Sequence, residues 1–287
     1  MSRTIYCNGT FVPEARATIS IFDRGTLFGD AVYEVTAVFD GRMIDNDLHL
    51  ARLQRSLGEL GIPMPAAREE IARIQHELIA RNGLREGVVY LQVSRGIADR
   101  NFLWPEDIAP TLIGFTQAKT LHDTAAQREG IEVDLAPDTR WQRRDIKTVM
   151  LLGQVLAKAA ARRKGCDDVW LCEDGMVTEG ASATAYIVTA AGQVVTRPNS
   201  RISLPGCTRQ ALLRLCAVHG LTLDERPFSP AEAQAAAEAF QTSASSFVTP
   251  VIRIAGVAVG TGAPGPVTRH LQQLYLETVG VRAPVSN

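Results

Sequence analysis

The pattern of apolar and polar positions divides the chain into short strands and amphipathic helices. Near the start, brief apolar runs are separated by turn residues such as Asn8-Gly9 and Asp40-Gly41, which is typical of β-hairpins. This alternation predicts strands at residues 4–7, 10–12, 19–22, 31–39 and 42–44. From Asp47 the apolar spacing changes to three and four residues, which predicts a helix that ends near Gly61.

The rest of the chain predicts a mixed α/β fold (α+β) without a regular βαβ rhythm. Further helices are predicted at residues 67–82, 151–164, 208–219 and 231–240. Further strands are predicted at residues 88–94, 111–116, 131–135, 168–172, 185–189 and 194–197. A polar, Ala-rich stretch favours a linker at 119–128 between a small N-terminal domain (1–118) and a larger C-terminal domain (129–287).

Composition narrows the classes of protein that we expect. The 287 residues suffice for two domains, and a formal net charge of −1 does not suit a nucleic-acid-binding protein. No apolar run reaches the roughly 20 residues of a membrane span, and the first residues do not resemble a signal peptide, so we expect a cytoplasmic protein. The cysteines lack metal-ligand spacing, so we expect reduced core residues and no metal site.

Lys147 is the first candidate for chemistry. It follows a basic, turn-like segment and precedes an apolar helical stretch. An amine in such a place could be partly desolvated, as a lysine that forms a Schiff base requires. The ordinary alternative is a solvated surface lysine at the start of a helix.

Glu179 is the second candidate, within a segment at 174–185 that is rich in Gly, Ser and Ala. Small residues allow the backbone to lie flat against a planar ligand, and a carboxylate between two strands could face a ring nitrogen. A hairpin with an exposed glutamate is the alternative.

Three further places could hold an anion. A turn at 203–209 precedes the helix predicted at 208–219, where free backbone N–H groups and the Thr208 hydroxyl could bind a phosphate. Ordinary N-capping by Thr208 would explain the same residues. A second turn, at 241–246, follows the helix predicted at 231–240. Arg52 is either a phosphate partner or part of the polar side of an amphipathic helix.

Taken together in this order, the motifs resemble those of fold-type IV pyridoxal-phosphate enzymes. This family includes branched-chain and D-amino-acid transaminases, R-selective amine transaminases and aminodeoxychorismate lyase. The resemblance covers nearly the whole chain. It is carried by Phe22-Asp23-Arg24-Gly25, Phe28-Gly29-Asp30, Arg52, Lys147, Thr178-Glu179-Gly180, Gly206-Cys207-Thr208-Arg209 and Val248-Thr249-Pro250.

The resemblance implies a role for each of these residues towards pyridoxal 5'-phosphate. Lys147 would carry the cofactor as a Schiff base and shuttle the proton of the substrate carbon. Glu179 would keep the pyridine nitrogen protonated, so that the ring accepts electrons. The remaining cofactor-binding residues would be Arg52, Cys207, Thr208, Ser243 and Ala244 around the phosphate, and Ser182 beside the ring.

The stretch from Gly29 to Val35 looks like the D-amino-acid transaminase version of this strand, with Tyr33 near the substrate. That subgroup typically carries an Arg-x-His pair that reaches across a dimer interface to bind the substrate carboxylate. Here Arg100 is in place, but Phe102 occupies the histidine position. Arg24 is either a substitute partner for the carboxylate or a salt-bridge residue of its turn. Phe102 could instead favour substrates without an α-carboxylate.

The resemblance therefore predicts a homodimeric transaminase with active sites at the domain boundary. It would transfer the amino group of a D-amino acid to a 2-oxo acid by a ping-pong mechanism. An R-selective amine or branched-chain L-amino-acid transaminase and the lyase remain alternatives on the same scaffold. A catalytically idle cofactor-binding protein is a further alternative, against which the presence of both Lys147 and Glu179 argues.

Overall fold

The computed structural model describes residues 2–281, which form two compact units. Of these residues, unit 1 comprises 2–121 together with 146–150, and unit 2 comprises 122–145 together with 151–281. The break at 121 and 122 lies inside the stretch predicted as a linker. Lys147 lies in unit 1, whereas the domain boundaries predicted from the sequence place it in the C-terminal domain. Within the described residues, no helix is both long and apolar enough to cross a membrane.

Unit 1 is an antiparallel sheet with two long amphipathic helices. Its strands are β1 (Thr4–Cys7), β2 (Thr10–Pro13), β3 (Ala31–Phe39), β4 (Arg42–Met43), β5 (Glu86–Ser94) and β6 (Thr111–Ala118), in the order β2-β1-β6-β5-β3-β4. Its helices are α1 (Arg24–Phe28), α2 (Asn46–Glu59) and α3 (Arg68–Arg81). Both long helices bury residues at three- and four-residue spacing, such as Leu50, Leu53 and Leu57 of α2.

Unit 2 is built on a mixed sheet. Its strands are β7 (Ile131–Pro137), β8 (Asp168–Glu173), β9 (Met176–Gly180), β10 (Thr184–Val188), β11 (Val194–Thr196), β12 (Leu223–Glu225), β13 (Glu238–Ser243), β14 (Phe247–Ile254) and β15 (Val257–Ala258). They run in the order β12-β11-β10-β13-β14-β7-β8-β9, and β15 pairs with β14. The helices are α4 (Ala125–Glu129), α5 (Leu152–Arg163), α6 (Cys207–Val218), α7 (Pro230–Gln234) and α8 (Pro266–Thr278). The predicted mixed α/β fold is confirmed.

Two predicted elements are wrong. Residues 19–22 form no strand, and the side chains of Ile19, Ile21 and Phe22 are exposed. The helix predicted at 231–240 ends at Gln234, and its last residues belong to β13. Nearly every residue of β13 (Glu-Ala-Phe-Gln-Thr-Ser) is buried between β10 and β14, so its sequence lacks the alternation of apolar and polar positions that marks a half-buried strand.

Candidate active site

Lys147 lies on a segment that pairs with the first residues of β3 in unit 1. The amide of Tyr33 donates to the Lys147 carbonyl at 2.9 Å, and the amide of Val149 donates to the Ala31 carbonyl at 3.1 Å. The Lys147 amide donates to the Ser56 hydroxyl on α2 at 3.4 Å. These bonds fix the backbone at the lysine, which is half-buried, so its environment differs from that of a freely solvated lysine.

The side chain of Lys147 ends over the ring of Tyr33, with Nζ 4.4 Å from the ring centroid. Tyr33 begins a row of stacked rings across β3, β5 and β6. Its centroid is 5.6 Å from that of Tyr90, which is 4.7 Å from that of Phe115. Because the face of an aromatic ring attracts a cation, the Tyr33 ring, held by its stacked neighbours, favours a defined position of the Lys147 amine.

Glu34, the residue after Tyr33, faces the other side of β3 and is buried. Arg52 of α2 donates to its carboxylate through Nε at 2.8 Å and Nη2 at 2.7 Å. Nδ1 of His49, one turn earlier on α2, lies 2.7 Å from the same carboxylate. Burial alone would raise the pKa of Glu34, but Arg52 and His49 lower it from 4.5 to about 2. Arg52 is itself buried and so does not belong to a polar helix face.

Arg24 is buried, and several of its donors are bonded within unit 1. Its Nε donates to Asp30 at 3.0 Å, and its Nη1 donates to the Asn101 carbonyl at 2.6 Å. Asp30 also accepts from Arg95 at 2.7 Å. Arg24 therefore anchors the loop that carries Arg100, which fits the salt-bridge alternative of the sequence analysis.

Arg100 and Phe102 lie on that loop with their side chains exposed. Phe102 is 77% exposed, and its ring centroid lies 5.7 Å from that of Phe28. The Arg100 guanidinium lies 5.7 Å from the Phe28 centroid. Arg100 and Phe102 are therefore brought together around Phe28, separately from the row that begins at Tyr33.

Glu179 of β9 is the centre of a buried polar network in unit 2. Its carboxylate accepts from Arg140 Nη1 and, at 3.2 Å, from the amide of Leu204. Arg140 also donates twice to Asp138, at 2.9 and 2.6 Å, and Thr178 donates to the same carboxylate at 2.7 Å. The alternative of an exposed glutamate in a hairpin is wrong, because Glu179 is 5% exposed.

Burial is the dominant influence on the charge of Glu179. It raises the pKa of this carboxyl, while Arg140 and the Leu204 amide act in the opposite direction. Asp138 behaves differently, because Arg140, Thr178 and Arg144 outweigh burial and lower its pKa. A carboxyl with a raised pKa beside one with a lowered pKa is suited to exchange a proton with a bound group.

The two turns proposed for phosphate lie at one end of strands β10 and β13. Thr184 and Thr242 are direct neighbours across these strands. A Cβ placed on Gly206 would lie 3.0 Å from Thr184 Oγ1, so the start of α6 packs against the same strand end. Ser243 follows Thr242 directly, and its hydroxyl is 2.7 Å from that of Ser246. Of the turn predicted at 241–246, residues 241–243 belong to β13, and the turn at 244–246 thus follows a strand, not a helix as predicted.

The remaining predicted residues lie at the start of α6 and in two turns. Helix α6 begins at Cys207 after the N-cap Gly206, so N-capping by Thr208 is excluded as an explanation. Cys207 and Thr208 are both buried in the first turn of α6. Ser182 is exposed in the turn before β10, and Ala244 lies in the turn after β13.

Sequence reasoning missed the partners of the site residues, namely Glu34, His49, Asp138 and Arg140. Their only signal is polar character next to apolar positions: Glu34 interrupts a strand, and His49 precedes Arg52 by one helical turn. Neither signal identifies a partner.

A half-buried lysine and a buried carboxylate are side chains of the kinds that enzymes of cofactor-dependent group transfer use. The chain belongs to the class IV aminotransferases, because the model of the family described as amino-transferase class IV matches residues 31–254. This membership confirms the predictions of an aminotransferase and of pyridoxal phosphate as its cofactor.

Known relatives cover almost the entire chain. A D-alanine aminotransferase of Bacillus licheniformis is 36% identical over 92% of this chain and 93% of its own. A D-alanine aminotransferase of Staphylococcus haemolyticus is 34% identical over 97% of this chain and 99% of its own. A solved branched-chain amino acid aminotransferase of Escherichia coli has a TM-score of 0.90 at 23% identity, covering 99% and 97% of the two chains. The last comparison supports the fold alone.

The residues present fit pyridoxal phosphate. Gly206 provides no side-chain cap for α6, so the first N–H groups of this 12-residue helix suit an anion, with the hydroxyls of Thr208 and Ser243 as additional donors. Glu179 offers a buried carboxyl with a raised pKa to a ring nitrogen. Lys147 offers an amine.

Proposed function

We propose that this chain is a pyridoxal-phosphate-dependent transaminase that moves the amino group of a D-amino acid, such as D-alanine or D-glutamate, to a 2-oxo acid. The observation that supports it most strongly is that D-alanine aminotransferases at 36% and 34% identity span more than nine-tenths of the chain. The placement of Lys147 over Tyr33 and the buried network of Glu179 supply the chemistry that such an enzyme needs.

Lys147 provides both the cofactor tether and the proton shuttle. When bound, pyridoxal phosphate supplies an electron sink for the bond cleaved at the substrate carbon. Nζ of Lys147 removes the proton from that carbon and returns it at the other end of the transfer. The backbone bonds to Tyr33 and Ser56 support this role, because they restrict where the amine can move.

Glu179 holds a proton at the ring nitrogen. Its raised pKa supports this role, since a carboxyl that is reluctant to ionise can share a proton with a pyridine nitrogen. Arg140 and Asp138 orient the carboxyl through their mutual ion pair. Ser182 lies beside the ring in this proposal.

The phosphate is held by donors that lie on several elements. These donors are Arg52, the backbone and hydroxyl at Cys207 and Thr208, and Ser243 with the Ala244 backbone. Charge-assisted bonds of this kind retain a dianion without a covalent link. Such retention would be required between the two halves of a ping-pong transfer, when the cofactor would not be linked to Lys147.

A second copy of the chain completes the enzyme. In unit 1 the Ala98 amide donates to the Phe22 carbonyl, and the apolar side chains of Phe22 and Ile97 beside this bond are exposed. In unit 2, Leu152, Val155 and Leu156 are exposed along one side of α5. Exposed apolar groups of this size are typical of interfaces, so we propose a homodimer. Arg100 then meets the substrate carboxylate from its exposed loop.

A second candidate function follows from Phe102. An exposed aromatic ring beside Arg100 provides no polar contact for a carboxylate, which favours R-configured primary amines as additional donors. This function uses the same cofactor and the same lysine. Only the donor distinguishes it from the first.

The absorbance spectrum of the cofactor-loaded protein tests the proposal. A lysine-bound cofactor absorbs at about 410 to 420 nm, and transfer of an amino group removes this band. We expect D-alanine to remove it, and L-leucine and R-1-phenylethylamine to remove it slowly or not at all. Loss of the band mainly with L-leucine or with the amine would contradict the D-amino-acid assignment.

A further inference from the structure

The Glu34 carboxylate joins the strand of Tyr33 to the helix of Arg52. It accepts from Arg52 Nε at 2.8 Å and Nη2 at 2.7 Å, and from His49 Nδ1 at 2.7 Å. Glu34 is 1% exposed, His49 2% and Arg52 8%. The cluster is therefore shielded from water, and its geometry depends on these bonds.

The chemistry of the cluster fixes the orientation of each partner. An ionised carboxylate only accepts hydrogen bonds, so His49 must carry its proton on Nδ1. The pair between Arg52 and Glu34 is bidentate and uses one edge of the guanidinium. Because the guanidinium is a rigid plane, its Nη1 side points away from Glu34.

The same face of α2 also carries Ser56, whose hydroxyl accepts a hydrogen bond from the Lys147 amide. His49, Arg52 and Ser56 are spaced by three and four residues, so one helical stripe holds the cluster and the lysine segment. If the Arg52 guanidinium tilted relative to this stripe, its N–H groups would point in a different direction relative to an anion near Lys147.

We propose that Glu34, oriented by His49, is a positioning residue that fixes the Arg52 fork on the cofactor phosphate and thereby retains the cofactor while it is detached from Lys147. The inference rests on the proposed function, since it takes Arg52 as a phosphate partner. Glu34 and His49 would then strengthen binding of the cofactor phosphate specifically, which is distinct from a general contribution to folding.

The test compares two ligands that differ only in the phosphate. Pyridoxamine 5'-phosphate and pyridoxamine are titrated into cofactor-free wild type and Glu34→Gln, with binding followed by ligand absorbance in equilibrium dialysis. We expect Glu34→Gln to weaken binding of the phosphorylated ligand by about tenfold or more, which corresponds to the loss of one well-oriented charged bond. Binding of pyridoxamine should change much less.

Turnover provides a second readout. During reaction with D-alanine and a 2-oxo acid without added cofactor, Glu34→Gln should lose activity progressively, and excess pyridoxal phosphate should restore it. His49→Gln, which keeps the Glu34 charge, should show a smaller loss of the same kind. It also serves as the test variant if Glu34→Gln does not fold.

Glu238→Gln is the matched control, because Glu238 is also a buried carboxylate but caps α8 in unit 2. It should bind both ligands as the wild type does. Equal weakening of both ligands in Glu34→Gln, or wild-type binding of the phosphorylated ligand by the variant, would overturn the inference. Failure of the wild type to transaminate D-amino acids would instead refute the proposed function, while the comparison of the two ligands would still decide the role of Glu34.

Discussion

Lys147 is the side chain on which the proposed chemistry depends. We expect Lys147→Ala to lose the lysine-bound absorbance band and to transaminate at least about a hundredfold more slowly, because both the tether and the proton shuttle are removed. Lys164→Ala is a suitable control, since Lys164 is exposed and paired with Asp134. Normal turnover by Lys147→Ala would refute its role.

In the proposed function, Arg100 and Phe102 are the side chains expected to determine how a substrate carboxylate is recognised. We expect Arg100→Ala to raise KM for D-alanine by about tenfold or more, through loss of a charge-assisted bond, and to change KM for a neutral amine much less. Phe102→His should lower KM for D-alanine. Steady-state kinetics with both donors measure these effects, and equal changes for the two donors would remove Arg100 from the carboxylate site.

At this scale the sequence indicated candidate reactive residues but not their partners. Lys147 and Glu179 stand in recognisable motifs, so they could be named in advance. Arg140 is 39 residues from Glu179, and Glu34 is 18 from Arg52. Pairs at such separations are created by strand and helix packing, which no local pattern encodes.

Helix α8 illustrates how an element depends on one carboxylate. Glu238 accepts from the amides of Val267 and Thr268 at 2.9 and 2.8 Å, and Gly265 leaves room for it. A Cβ on Gly265 would lie 2.1 Å from Glu238 Cδ. We expect Gly265→Ala to lower the free energy of unfolding by about 1 to 3 kcal/mol, measured by urea titration.

Gly58 provides the matched control for that substitution. It lies inside α2 with no heavy atom within 4 Å of the position that a Cβ would take. Gly58→Ala should therefore raise the free energy of unfolding by about 0.4 to 1 kcal/mol. Equal stability of Gly265→Ala and the wild type would contradict the close packing around Glu238.

Elements with one buried face were predicted well from their periodicity. Helices α2 and α3 each bury one stripe, and β3 is closed by a turn at Asp40-Gly41, so their bounds were predicted within one or two residues. Strand β13 is buried on both faces and follows an Ala-rich helix, so its sequence contained no signal for a change of structure.

The stability of the whole molecule should depend on pH through Glu34. Its pKa falls from 4.5 to about 2 on folding, so the ionised form stabilises the native state above pH 4.5. This contribution, of about 3 kcal/mol, is lost as the pH falls from about 4.5 to 2. Urea unfolding of the cofactor-free protein at several pH values measures it, and an unchanged acid transition in Glu34→Gln would contradict it.

Assembly is the second property of the whole molecule that can be tested. Light scattering after size exclusion should give twice the chain mass of 31.1 kDa. Leu152→Lys combined with Leu156→Lys should shift the protein towards the monomer, because it charges the exposed side of α5. Val218→Lys, at a position 78% exposed on α6, is the control. A dimer unaffected by the double variant would exclude α5 from the interface.

Single-turnover amino transfer tests the central claim most directly. The cofactor-loaded protein is mixed with D-alanine without an acceptor, and pyruvate is counted. We predict about one pyruvate per bound cofactor, then no further reaction until 2-oxoglutarate is added and D-glutamate appears, because a ping-pong enzyme stores one amino group. Pyruvate formed from L-alanine but not D-alanine, or continued release of pyruvate without an acceptor, would contradict the assignment.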